Sequence, residues 1–309
     1  LLAGVDCGAT KVMVQSGVYC SKRNKISPGS INQEFYYSDH PDWNSKFTPL
    51  PLDIQKNEYQ SDNISLSDEE IKQGNVIIDT IISSMKIIDD HKIGLCFPGL
   101  KSHDGIVVMA NGPRIPNLSH RIYPVKKILN DSDCCVTGEL KSTIGMMQET
   151  KNGIYIGGGT GIADGIILNG ELLKQINMVD IPRSWEINIS SNETVETLLS
   201  PAGMIKKYND QNNAEIKILA DLMHQKEFNK IMDDALKAFL QLLKVREQFF
   251  VSQNEEIQEI VIGQRLGKFF SDYDKKYIER FQNSTKIPIK ISSDRRTAAL
   301  GAAISFACS

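Results

Sequence analysis

Two stretches of this 309-residue chain carry the residue types that hold a phosphate. In Gly4-Val5-Asp6-Cys7-Gly8-Ala9-Thr10-Lys11, Gly8 and the small Ala9 let backbone N–H groups come close to an anion. Thr10 adds a hydroxyl donor, Lys11 a positive charge, and Asp6 a carboxylate that can hold a metal-bound water beside phosphate. The second stretch is Gly157-Gly158-Gly159-Thr160-Gly161-Ile162-Ala163-Asp164-Gly165. It lacks the G-x-G-x-x-G spacing of a dinucleotide fingerprint, and the chain has no G-x-x-x-x-G-K-S/T loop, so neither motif is present. A Thr flanked by glycines at a strand junction still makes a phosphate cradle. Each stretch also has a purely structural reading: a hairpin turn for the first, a glycine bulge for the second.

Both stretches lie between apolar runs. Residues 1–5 and 12–18 read as a hairpin with its tip at 6–11, and residues 154–156 and 162–168 repeat the pattern around the second. Residues 19–65, with Pro28, Pro41, Pro49, Pro51 and the aromatics Phe35, Tyr36, Tyr37, Trp43 and Phe47, read as an extended strand-and-loop insertion. Ser67-Asp68-Glu69-Glu70 has the form of a capping box, and Ile71, Ile78, Ile81, Ile82 and Met85 predict a long amphipathic helix ending near Asp89. Strands are expected at 92–97, closed by Pro98-Gly99, at 105–109, and at 134–137, followed by a helix over 140–150. Helical periodicity dominates 195–253; then come a strand at 258–262, a helix at 274–282, a strand at 287–291 and an Ala-rich helix at 295–307. Strands alternating with helices through both halves predict an α/β fold. One strand–glycine turn–strand unit per half suggests a coarse duplication.

Hydrophobic residues make up 41% and charged residues 24% of the chain, an ordinary globular composition, and the net charge of −3 gives no basic footprint for nucleic acid or an anionic membrane. Six cysteines form no C-x-x-C pair and no zinc-finger spacing, and Cys134 and Cys135 are adjacent. They read as small buried hydrophobes of a reducing compartment. The apolar stretch 298–308 is too short to span a bilayer, and no secretory leader is read at the N-terminus, so a cytoplasmic chain is expected.

Taken in order, these segments resemble a family. Gly4 to Lys11 is similar to the first phosphate loop of sugar kinases built on the ATPase fold shared by actin, hexokinase and heat-shock chaperones. Within that superfamily the resemblance is to the ROK (repressor, open reading frame, kinase) glucokinase-like group. Ile93-Gly94-Leu95-Cys96-Phe97-Pro98-Gly99 is similar to its "IGIGIPG" strand, and residues 105–111 with Ile115-Pro116-Asn117-Leu118 to the segment ending in a sugar-contacting Asn. Gly159-Thr160-Gly161-Ile162 with Gly165-Ile166-Ile167-Leu168-Asn169-Gly170 resembles the second phosphate loop. Residues 195–203 resemble the "LE–SGPAL" helix start, 260–263 the adenosine-side strand and 297–303 the terminal "AGALGAA" helix. Three departures stand out. Residues 187–193 hold no Cys where zinc-bearing members carry C-x-C-G-x-x-G-C, so no structural zinc is expected. The "GEIGH" segment is reduced to Ser184-Trp185-Glu186-Ile187-Asn188, without its His. The family's catalytic Asp lies in a "V–END" motif after a short strand. Val136-Thr137-Gly138-Glu139 is read there, with Glu139 at the Asp position and Gly138 replacing the sugar-binding Asn.

The resemblance implies a two-lobed actin/hexokinase-like (ribonuclease H-like) ATPase fold with a cleft between lobes. The expected N-terminal lobe is 1–118, completed by the C-terminal helix 297–309, and the C-terminal lobe is 119–296. It further implies phosphoryl transfer from ATP with Mg²⁺ to a hydroxyl of a sugar or sugar derivative, a hexose or N-acetylhexosamine. Gly8, Thr10, Lys11, Gly159, Thr160, Gly161 and Gly263 would bind the nucleotide, Asp6 would hold Mg²⁺ through water, Glu139 would act as base, and Asn111, Asn117 and Glu186 would hold the acceptor. Two other readings stay open: a phosphotransferase or phosphohydrolase acting on a non-sugar acceptor, favoured by Glu139 and Gly138, and a catalytically silent sugar- or nucleotide-binding relative. A DNA-binding repressor is disfavoured, since the first loop lies within the first eleven residues. Arg114 and Trp185 read first as packing and surface charge, otherwise as groups reading an anionic or stacked acceptor. The 19–65 segment reads as a cover for the acceptor, a homodimer contact or a solvated loop.

Overall fold

The computed structural model describes residues 1–88, 90–125, 127–174, 178, 180–273 and 275–307. The chain divides into two compact units, Leu1–Ile144 with Arg296–Ser309, and Gly145–Arg295. The expected boundary at 118/119 falls inside the first unit, because a helix at Asp131–Lys141 packs on the C-terminal helix Thr297–Ala307.

In the first unit, β1 (Leu2–Cys7) turns back into β2 (Lys11–Cys20), which pairs with β3 (Lys25–Tyr36). A 3-10 turn at Tyr37–Asp39 leads to α1 (Leu52–Gln60) and α2 (Asp68–Met85). Then come β4 (Lys92–Phe97), the small hairpin of β5 (Leu100–Lys101) and β6 (Ile106–Val108), α3 (Leu118–Arg121), β7 (Ile128–Asn130) and α4 (Asp131–Lys141). The sheet order is β3-β2-β1-β4-β7, with β4 parallel to β1 and β7 parallel to β4. β1 and β4 are buried on both faces, which is why they read as continuous apolar runs rather than alternating ones.

Several expectations needed revision. The 19–65 segment contains a 12-residue strand and the helix α1. Its prolines disguised the helix, yet Pro51 sits just ahead of α1, where a missing N–H costs nothing. Ser67 caps α2 by accepting from Glu70 N at 3.1 Å. The Glu70 carboxylate goes instead to Arg114, so the box has one arm from Ser67. α2 ends at Met85, followed by a 3-10 turn at Lys86–Ile88; Asp89, its expected end, lies outside the described residues. The expected strand at 134–137 is helix α4, and the expected helix at 140–150 is absent, since α4 ends at Lys141 and turns follow it. A short apolar run such as Cys134-Cys135-Val136 does not by itself separate strand from helix. Here Asn130 decides: its Oδ1 accepts from Asp133 N at 3.2 Å and starts the helix, with Asp131 and Asp133 in the first turn.

The second unit repeats the plan. β8 (Gly153–Gly158) turns back into β9 (Ile162–Leu168), which pairs with β10 (Glu171–Leu173). The ribbon of β11 (Asn188–Ser190) and β12 (Glu193–Thr194) precedes α5 (Val195–Leu199), α6 (Pro201–Asn212), α7 (Leu219–Leu222) and α8 (Phe228–Ser252). β13 (Glu259–Gly263), α9 (Gln264–Asp272), α10 (Lys275–Gln282) and β14 (Ile289–Ile291) complete it; position 274 of the expected helix lies outside the described residues. The order β10-β9-β8-β13-β14 has the same form as in the first unit: a hairpin on one side of the leading strand, two parallel strands on the other. α8 supplies much of this unit's core through Phe228, Ile231, Ala235, Phe239 and Leu242, at helical spacing.

The C-terminal helix α11 (Thr297–Ala307) lies against β1, β4 and α4 at backbone distance. A Cβ built on Gly4 would stand 1.6 Å from Ala299 O, one on Gly94 2.0 Å from Ala302 O, and one on Gly138 1.8 Å from Thr297 O. The relation is mutual, since a Cβ on Gly301 would stand 1.8 Å from Cys134 O. Gly138→Ala should therefore lower unfolding stability by about 3 kcal/mol, as overpacking against a backbone does, measured by urea denaturation.

Candidate active site

In the first unit, functional side chains gather at the C-terminal ends of the parallel strands β1, β4 and β7. Asp6 stands level with Cys96, and Phe97 level with Asn130. Cys96 Sγ donates to Asp6 Oδ1 at 3.4 Å. One edge of the sheet thus carries Asp6, Cys96 and the Asn130-Asp131 pair, and open α/β sheets bind ligands at that edge. Asp131 is half-buried in the first turn of α4. Lys101, also half-buried, donates from Nζ to Gly99 O at 2.8 Å. Burial lowers its ammonium pKa, opposed by the charges of Asp131 and Asp133. The Cys96 thiol is pushed well up by its hydrogen bond with Cys134 and by burial, and the Cys7 thiol by burial, so both stay protonated and inert.

Glu139 is fully buried in the last turn of α4. It lies eight residues beyond Asp131 (131 to 139), about 12 Å along the helix axis and away from the strand edge. The short strand expected before Glu139, at 134–137, is part of α4, and the strand that precedes this helix is β7, whose last residue Asn130 is followed by Asp131. Glu139 thus does not follow a strand, and an Asn-Asp pair, Asn130-Asp131, stands at the end of β7, eight residues before Gly138-Glu139. Gly138 has a packing reason of its own in its contact with Thr297.

The first glycine turn closes through Gly8 N to Lys11 O at 2.9 Å. Thr10 is exposed. Lys11 Nζ forms an ion pair with Glu34 and lies 5.4 Å from the Tyr36 ring centroid, so β3 engages the charge expected for phosphate. Asn111 and Asn117 are exposed. Arg114 is buried and structural: Nε and Nη2 donate to Glu70 Oε1 and Oε2 at 2.9 and 2.8 Å, Nη2 to Ser65 O at 2.9 Å, and Nη1 to Glu58.

In the second unit, the turn between β8 and β9 is closed by Gly159 N to Gly161 O at 2.9 Å and tied to α6 by Ala202 N to Gly159 O at 3.2 Å. Ile162 N donates to Glu196 Oε2 at 3.1 Å, and Ser184 Oγ to Ile162 O at 3.0 Å. A Cβ on Gly161 would stand 2.5 Å from Glu196 Oε2, whereas nothing stands within 4 Å of one on Gly159, whose side of the turn is open. Thr160 is half-buried between them. Sequence reading placed Glu196 only within a helix-start motif; its latch on Ile162 is a tertiary contact with no local signal. Gly263 stands level with Gly157, and a Cβ there would lie 2.5 Å from Tyr155 Oη. Glu186 is exposed and closes its own turn, accepting from Arg183 N at 2.9 Å, and Trp185 lies 5.7 Å under the Arg183 guanidinium. Below them the buried Arg246 donates to Asp164 Oδ2 at 2.9 and 2.6 Å and to Pro182 O at 2.8 Å.

Compared by sequence, the chain matches no protein-family model and no curated protein. Compared by structure, it matches along nearly its whole length a candidate N-acetylmannosamine kinase from Listeria monocytogenes, at 16% identity and TM-score 0.62, covering 99% of this chain and 98% of that one. It matches a ROK family glucokinase from Streptomyces griseus, solved with glucose and AMPPNP, at 16% identity and TM-score 0.56, covering 98% of each chain. This is the ROK sugar-kinase fold. The same ROK fold serves a transcriptional regulator, a homologue of the E. coli MLC protein, at 13% identity and TM-score 0.59, covering 99% of this chain and 77% of that one. Within the fold, no helix among the described residues is long and apolar enough to cross a membrane.

Arg114→Met leaves the Glu70 carboxylate buried without its partner and should cost about 3–5 kcal/mol. Glu58 is held below the usual carboxylate range, first by its hydrogen bond from Arg114. A folded-state value below the unfolded one adds stability that is present at neutral pH and lost as pH falls through the folded value. The difference between wild type and Arg114→Met should shrink on acidification below about pH 4, read by urea midpoints across pH. Glu196→Ala should release Ile162 N and raise hydrogen-exchange rates at residues 159–162 at least tenfold, about the effect of losing one charge-assisted hydrogen bond.

Proposed function

We propose that the chain is an ATP-dependent kinase that moves the γ-phosphate to a hydroxyl of a sugar or sugar derivative, a hexose or an N-acetylhexosamine. The observation that carries this reading is the strand edge of the first unit, where Asp6 lies next to the end of β1 and, across β4, Asn130 ends β7 and Asp131 follows it. A carboxylate in the first turn of a helix, at the edge where open sheets bind ligands, is placed to accept the proton of an attacking hydroxyl. It needs to come within ~2.6–3.2 Å of it. Asp131 fills that role with the family's own side-chain length, and Glu139 does not need to reach there. Asn130 gives its Oδ1 to the helix cap, so its amide NH₂ is the group that meets an acceptor oxygen.

Among the described residues no three His, Cys, Asp or Glu side chains form a metal cage. A lone half-buried carboxylate such as Asp6 fits Mg²⁺, which prefers a few carboxylates with water and substrate oxygens. Bound with ATP, Mg²⁺ neutralises charge on the phosphates. The turn amides at Gly8, Gly159 and Gly161 and the hydroxyls of Thr10 and Thr160 would donate to phosphate oxygens. Gly263 would admit the adenosine side close to the backbone. Asn111, Asn117 and Glu186 would hold the acceptor. Lys11, engaged by Glu34, shapes its turn. The case for a non-sugar acceptor drawn from Gly138 weakens, since contact with Thr297 already accounts for that glycine.

ADP release should depend on a hexose or N-acetylhexosamine, and Asp131→Asn should reduce it by about 10²–10⁴-fold, while Glu139→Gln keeps most turnover per folded molecule. The reverse pattern would return the base to Glu139. Acceptor-independent release would indicate a phosphohydrolase, and nucleotide binding without turnover a silent relative.

A further inference from the structure

The aromatic segment after β3 reaches the first glycine turn through one residue. Tyr37 is fully buried in the core of the first unit, its ring 5.6 Å from Trp43. Its backbone N–H donates to Thr10 O at 3.1 Å, and its hydroxyl donates to Gly8 O at 3.1 Å. One side chain with its own amide therefore pins two carbonyls of a single turn. In a trans peptide the C=O and the following N–H point in opposite directions. Fixing Gly8 O and Thr10 O toward Tyr37 turns the Ala9 and Lys11 N–H groups toward the other face, the face on which an anion would be bound.

We propose that Tyr37 is a positioning residue for nucleotide binding: it sets the orientation of the amides in the 8–11 turn without touching the nucleotide. The inference rests on the reading of that turn as a phosphate site, and it gives the 19–65 segment a role besides those read from sequence. β3 acts in the same direction, since Glu34 and Tyr36 hold Lys11 at the end of the turn. Burial, with the nearby Cys7 and Asp6, pushes the Tyr37 phenol well above its ordinary range, so the hydroxyl stays a donor at every pH at which a kinase would work. Pre-orienting donors in the protein, rather than reorienting them when the phosphate arrives, is how such turns gain affinity.

The test is Tyr37→Phe, which removes the Gly8 O bond and keeps the ring, compared with Trp43→Phe, which perturbs the packing and leaves both bonds. Binding of Mg·ATP is measured by equilibrium dialysis and acceptor KM by ADP release, with thermal midpoints for both variants. Tyr37→Phe should weaken Mg·ATP binding by about fivefold or more, the size of one hydrogen bond. Its acceptor KM should stay within twofold and its midpoint near wild type. Trp43→Phe should lower the midpoint without that selective loss. Unchanged Mg·ATP binding in Tyr37→Phe, or a loss matched by Trp43→Phe in proportion to stability, overturns the proposal while leaving the kinase reading intact. Failure of wild type to bind Mg·ATP overturns both.

Discussion

The first unit depends on a contact between backbones. α11 lies so close to β1, β4 and α4 that Gly4, Gly94 and Gly138 have no room for a side chain, and Gly301 answers from the helix itself. Interiors are packed to the density of organic crystals, so a helix seated this deeply has one position along its neighbours. That position sets where α4 begins relative to β1 and β4. The strand ends carrying Asp6, Cys96 and Asn130 are brought level by register, and the first turn of α4 delivers Asp131 to the same edge. The meeting of these side chains at one edge is a consequence of how near a small-residue helix comes to a sheet.

The second unit reaches a similar result by different means. Its leading hairpin also ends in a glycine turn, but a carboxylate holds it: Glu196 on Ile162 N, with Ser184 on Ile162 O. In the first unit a phenol and an amide of Tyr37 hold the corresponding turn by its carbonyls. Two units of one sheet plan thus fix their turns differently: Tyr37 takes two carbonyls of the first, while the second is held by an N–H as well as by carbonyls. The duplication is legible in strand order and not in the residues that stabilise the tips.

Much of the fold was legible because it is written locally. Both hairpins, β4 and α2 with its Ser67 cap follow from apolar runs, glycine turns and a cap residue. The misreading around α4 has one source. Cys134-Cys135-Val136 is apolar and short, so it passed for a strand, and the Asn-Asp after the true strand was overlooked although Asn130-Asp131-Ser132-Asp133 is itself a helix start. That slip put the sought Asn-Asp pair at Gly138-Glu139 and passed over Asn130-Asp131. Arg114, the Glu196 latch and the Tyr37 bonds are contacts between residues 27 or more apart in sequence. Residue type alone does not announce them. Proline density hid α1, because a proline ahead of a helix and one inside a loop look alike in a linear reading.

The first unit is discontinuous: it draws on residues up to Ile144 and again from Arg296, while the second unit is continuous between them. During synthesis, the groove left by Gly4, Gly94 and Gly138 therefore stays open until α11 has been made. By then the intervening unit has already been made. A chain truncated before α11 would present an open sheet face with nothing small enough to fill it.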